Sequence, residues 1–109
     1  MSHERFKSCI DACLECAVQC NHCSTACLLE PEVNVLTRCI QLERECTVLC
    51  FAAAGIMGMD SKTATGICKL CADVCEMCAE ESDKHAHMEH CRECAEACRK
   101  CAKVCLEFK

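Results

Sequence analysis

The chain has 109 residues, enough for one domain (residues 1–109) of four ordinary helices with short connections and too few for a second core. Eighteen cysteines, one proline, three glycines, three phenylalanines and no Trp or Tyr leave few helix breakers and no aromatic or β-branched runs, which argues for helices and against a sheet. A net charge of −5, with Arg92, Arg99, Lys100 and Lys103 interleaved with Glu93 and Glu96, excludes a basic face able to track nucleic-acid phosphates.

Met1-Ser2-His3-Glu4-Arg5 leads into a charged amphipathic stretch without an apolar signal region, and the longest apolar run, Val48 to Met59, is short for a membrane span and contains Gly55 and Gly58. A cytosolic protein without a membrane partner is expected. In that reducing compartment, dense cysteine suits metal binding better than disulfides.

The first helix is predicted from near Ser2 to Leu29. Its thiols, Cys9, Cys13, Cys16, Cys20, Cys23 and Cys27, step by four and three, so all fall on one stripe that rises about 27 Å at 1.5 Å per residue. A strand would scatter them over both faces. Glu30-Pro31-Glu32 ends this helix, and Pro31 suits the first turn of the next, expected over residues 31–57 and stopped at Gly58. The second stripe is diluted: Leu36, Cys39, Glu43, Cys46, Cys50, Ala53 and Met57. Beside it runs another apolar row, Val35, Leu42, Leu49, Ala52 and Ile56, which suits a contact with a second subunit.

Asp60 or Ser61 is expected to cap the third helix, which carries Cys68, Cys71, Cys75 and Cys78 and is weakened early by Gly66; Ile67, Leu70, Val74 and Met77 flank its thiols. Ser82 or Asp83 is expected to cap the fourth, with Cys91, Cys94, Cys98, Cys101 and Cys105. His87 continues this stripe one turn earlier, and His85 and His90 lie close by. An antiparallel up-down-up-down four-helix bundle, all-α with a cysteine-lined core, follows. One end gathers Cys27, Cys39, Cys78, Cys91 and the three histidines; the other gathers Phe6, Phe51, Met57, Met59 and Phe108 as an apolar plug.

Cysteine is too small to fill a bundle layer as leucine does, so stripes of it leave a container rather than a packed core. Pairs spaced Cys-x2-Cys lie within helical patterns, unlike the looped ligands of ferredoxin-type iron–sulfur clusters. Cys68-x9-Cys78 and Cys91-x9-Cys101 fit a disulfide-stapled helical interaction module, but the thiols between them would then have no role. Zinc held by four thiolates leaves two negative charges per site in a buried core. Cu(I) is soft, singly charged and content with two or three thiolates, so about one ion per cysteine gives a nearly neutral column. No Ser-His-Asp set or phosphate loop points to an enzyme. His22 reads as a surface residue, Glu43 as tilted toward solvent or a subunit contact, and Met57, Met59 and Met77 as core filler.

The striped bundle, the Cys-x2-Cys and Cys-x3-Cys steps on the first, third and fourth helices, and the histidines before Cys91 resemble the cytosolic bacterial copper storage proteins over essentially the whole chain. That resemblance implies a homotetramer of four-helix bundles holding many Cu(I) ions on its core thiols. It also implies loading through a histidine-bearing mouth, here His85, His87 and His90. A zinc-thiolate buffer is the alternative metal reading.

Overall fold

A computed structural model describes residues 6–107 of the chain; the expectations placed at Ser2 and Phe108 lie outside them. Four helices follow one another: α1 (Lys7–Leu28), α2 (Thr37–Gly58), α3 (Ala64–Asp83) and α4 (Glu89–Leu106), and the described residues contain no strand. Each helix packs on the two beside it in the ring α1, α2, α3, α4, with short turns between, giving an all-α bundle of 48 × 18 × 17 Å. None of these helices is long and apolar enough to cross a membrane.

The three-four spacing turns every cysteine inward. Between the thiol stripes lie buried alanines, Ala17, Ala72, Ala79, Ala95 and Ala102, while Ala53 takes a stripe position on α2. Small side chains at these positions let the backbones approach closely, which narrows the space into which the sulfurs project.

Three boundaries differ from expectation. α2 starts at Thr37 rather than at Pro31, because a single 3₁₀ turn, Val33–Val35, precedes it. Its tighter i to i−3 bonds, Val35 N–H to Glu32 O (3.0 Å) and Leu36 N–H to Val33 O (2.9 Å), turn Leu36 fully into the core. α3 starts at Ala64 without a side-chain cap. Asp60 lies in the turn with φ 51°, and Ser61 Oγ accepts the Thr63 N–H (3.2 Å) ahead of the helix. Finally, α3 runs through Ser82 and Asp83, so neither caps α4. Ser82 is fully buried on the thiol stripe, where its hydroxyl meets Cys39, and the histidine-bearing turn is displaced to residues 84–88.

The second apolar row of α2 is divided. Leu42 (3% exposed) belongs to the chain's own core, Leu49 and Ile56 pack on it while partly buried, and Val35 and Ala52 are exposed. On α3, Val74 is likewise buried and Leu70 and Met77 are exposed.

Candidate metal centre

All eighteen cysteines are buried and free. The shortest sulfur separation, 3.1 Å between Cys9 and Cys105, is well beyond a disulfide bond of about 2.05 Å, so no pair is stapled. From the Cys9 end, Cys13 lies 3.7 Å from both Cys101 and Cys105, and Cys50 lies 3.6 Å from Cys71 and 4.0 Å from Cys101. Next, Cys46 is 3.5 Å from Cys75 and 3.9 Å from Cys16, which is 3.8 Å from Cys98. Cys20 continues to Cys98 (3.7 Å) and Cys94 (3.8 Å) and shares a four-thiol group with Cys78. Cys23, Cys27 and Cys91 form the last triangle, 3.9 to 4.0 Å on each side. The sulfurs thus form overlapping four-ligand groups along the bundle axis, including Cys13, Cys71, Cys101 and Cys105, and Cys16, Cys46, Cys50 and Cys75.

Hydrogen bonding with Cys16 first, then with further sulfurs, and burial push Cys20 and Cys98 above the ordinary thiol range. Near the two ends, burial pushes Cys27 and Cys68 up to about 12. These positions are neutral thiols at neutral pH, and a metal cation bound there must displace protons. Other sulfurs, among them Cys46, Cys94 and Cys101, are held below the usual range by hydrogen bonds from their neighbours; so is Cys91, by Cys23 foremost, and His90 beside it acts in the same direction.

Phe6 and Met57 close the end away from the histidines; both are buried, and Cys68 Sγ lies 3.4 Å from the Met57 sulfur. Phe51 (46% exposed) and Met59 (71%) do not join the plug. Phe51 lies on the outer face of α2, and Met59 lies just past its last residue, where the stripe no longer directs it inward.

Glu43 departs most from expectation. It is fully buried rather than tilted outward, because it occupies a stripe position between Cys39 and Cys46. Cys39 Sγ–H donates to Oε2 (3.6 Å) and Oε1 has no partner, so burial raises the carboxyl to about 8.

The three histidines are placed differently from one another. His90, in the first turn of α4, brings Nδ1 to 3.3 Å from Cys23, 3.6 Å from Cys91 and 3.8 Å from Cys27, while Nε2 lies 2.9 Å from the Glu30 carboxylate. His85 is partly buried, with Nε2 3.6 Å from Glu81, and His87 is exposed. So His90, rather than His87, meets the thiol column. The turn at 84–88 breaks the helical register that would have carried His87 inward. His22 is exposed as expected. Two polar residues here escaped the sequence reading: Ser82, which a stripe extended one turn past Cys78 would have found, and Glu30, whose partner is 60 residues away along the chain.

A buried run of soft donors with carboxylate and imidazole at one end suits thiophilic cations. A family model described as copper storage protein matches residues 2–109. The chain is 48% identical over 67 residues to an uncharacterized cysteine-rich protein, YhjQ, of Bacillus subtilis, spanning 62% of each chain and so less than two thirds of that relative's length. In structure it is similar to the Cu(I)-bound copper storage protein BsCsp3, with a TM-score of 0.90 and 45% identity over 94% of this chain and 96% of that one. It is also similar to a cytosolic copper storage protein from Streptomyces lividans with five coppers, with a TM-score of 0.92 and 40% identity over 97% and 92% of the two chains. The Streptomyces lividans protein Ccsp is also known loaded with 10 copper equivalents, at a TM-score of 0.89 and 42% identity over 92% of this chain and 80% of that one.

Proposed function

The chain belongs to the copper storage protein family, and from that premise we propose that it stores Cu(I) in the cytosol on the thiolates of its bundle core. Copper is cargo here and storage is not catalysis. The observation that carries this reading is the set of eighteen buried, free thiols lining the bundle axis, most of them with another cysteine sulfur at or within 4.0 Å. Two- and three-coordinate Cu(I) sites can be drawn anywhere along such a column, and about one singly charged ion per thiolate leaves it near neutrality. The single domain spans the chain. His90 is a ligand at the mouth, with His85 and His87 on the turn outside it, and ions pass inward because thiolate holds Cu(I) more tightly than imidazole does.

A homotetramer is part of the proposal. Val18 (63% exposed), Val48 (68%) and Phe51 (46%) leave apolar surface on the outer faces of α1 and α2, beside a groove lined by Leu28, Val33 and Ile40. Leu42, already buried within the chain, is not available to that contact.

The test is titration of the reduced apo-protein with Cu(I) and with Zn²⁺ against competing chelators. Cu(I) binding is expected to continue well beyond about nine ions per chain, toward roughly one per cysteine. Saturation near about four or five Cu(I), with Zn²⁺ bound as tightly in similar number, would overturn the storage of Cu(I) in favour of four-thiolate zinc sites.

A further inference from the structure

The mouth differs from the column behind it in coordination number, charge and solvation. Cys23, Cys27 and Cys91 form a nearly equilateral triangle of sulfurs with sides of 4.0, 3.9 and 3.9 Å. Alone, that triangle suits a three-coordinate ion. His90 Nδ1, however, stands over it at 3.3, 3.8 and 3.6 Å from the three sulfurs, completing a four-cornered cage. Ordinary zinc bonds of about 2.3 Å to sulfur and about 2.05 Å to nitrogen give tetrahedral edges of about 3.8 Å between sulfurs and about 3.6 Å from sulfur to nitrogen. The cage already has those edges.

The imidazole is also oriented. Its Nε2 lies 2.9 Å from Glu30 Oε2, and an ionised carboxylate only accepts, so in the neutral ring the proton sits on Nε2 and the lone pair on Nδ1 faces the sulfurs. A carboxylate behind a histidine is the arrangement that fixes a metal-binding tautomer. Charge separates this cage from the rest. Four thiolates around a divalent ion leave two negative charges in the dry interior, whereas three thiolates and a neutral imidazole leave one. That one lies where His90 (14% exposed) and Glu30 (32%) still meet water.

We propose that, before copper arrives, Cys23, Cys27, Cys91 and His90 form a tetrahedral site for one divalent borderline cation of the Zn²⁺ type, which incoming Cu(I) displaces, with Glu30 as the residue that positions His90. The site rests on the reading of the core thiols as metal ligands but not on which ion fills the column.

Titration of the reduced full-length apo-protein with Co²⁺ as a visible probe, followed by displacement with Zn²⁺, tests it. The first Co²⁺ equivalent should develop the intense visible bands of tetrahedral coordination together with sulfur-to-cobalt charge transfer, and one equivalent of Zn²⁺ should remove them. His90→Ala should weaken that first equivalent by about 10–100-fold and change its band envelope, and Glu30→Ala should weaken it by about tenfold. Glu30→Gln, which still accepts from Nε2–H, should recover part of the loss; circular dichroism of each variant checks that the bundle is intact. Several equivalents binding with equal affinity, bands unchanged in His90→Ala, or Glu30→Ala behaving as wild type would each overturn the site. A low Cu(I) capacity with a His90-dependent first divalent equivalent would instead overturn copper storage and leave this site standing.

Discussion

Glu43 occupies a stripe position of α2, enclosed on all sides, with its carboxyl raised from an ordinary 4.5 to about 8 by burial. Because its pKa is higher in the folded state than in the unfolded chain, the folded state holds this proton more firmly. Stability is therefore fully present below the ordinary carboxyl range and is lost as pH rises through it toward 8. Glu43→Gln removes that dependence. In urea titrations of reduced apo-protein, the variant should gain on wild type between about pH 5 and pH 8, by roughly 2–4 kcal/mol at the upper end. A pH-independent gap would show that Glu43 is ionised in the fold. Residue-type statistics, in which carboxylates are seldom buried, pointed Glu43 outward, whereas the helical period alone places it inward. The period was the better guide because one register governs every side chain on the helix.

At the mouth, replacing His85, His87 and His90 together with Ala should slow both Cu(I) loading and chelator-driven removal. Stopped-flow comparison of the single variants should assign most of the effect to His90→Ala and almost none to His87→Ala, since only His90 reaches the thiols. Equal rates in the triple variant and wild type would remove the histidines from the route.

Among the elements, α3 carries two features that can be tested without touching a thiol ligand. Gly66 lies in its first turn, and a Cβ built there meets nothing within 4 Å. Gly66→Ala should thus stabilise the apo-protein by about 0.5–1 kcal/mol, visible as a few degrees in Tm. Ser82 extends the thiol stripe, with Oγ 3.6 Å from Cys39 Sγ. Ser82→Cys should fold normally and bind about one further Cu(I) in the chelator titration; unchanged capacity would mean that the column stops at Cys78 on this helix. The four helices and their inward faces were legible in the sequence because cysteine, alanine and the three-four spacing agree at every turn. Their ends were not. Each start relies on backbone geometry, with no side-chain cap hydrogen bond on any of the four, so the Asp60, Ser61, Ser82 and Asp83 signals marked positions that the chain uses otherwise. The mouth lies at the expected end, but moving the turn to 84–88 exchanges the roles of His87 and His90 there.

For the whole molecule, Cu(I) uptake should release a proton from each raised thiol it engages, such as Cys20 and Cys98, which are protonated before metal arrives. Loading in weakly buffered solution with a pH indicator measures this directly. The bundle needs no ion to form, since its helices already bury their faces against one another, so reduced apo-protein should show full helical circular dichroism. Sedimentation should give a tetramer that Val18→Glu or Val48→Glu dissociates; a wild-type monomer would place those side chains in solvent.

Phe6 and Met57 shut one end of the bundle, and the thiols behind them sit in overlapping groups of four. Ions moving by ligand exchange from one group of thiols to the next must enter and leave past the same mouth, so those nearest it shield those behind. The protein then behaves as a stack: what arrives last leaves first, and the innermost atoms turn over slowest. Loading half the capacity with the light isotope of copper and the remainder with the heavy one gives this a signature. The first fractions withdrawn by chelator should be rich in the heavy isotope, whereas a uniform mixture throughout would reveal either rapid internal shuffling or a second door.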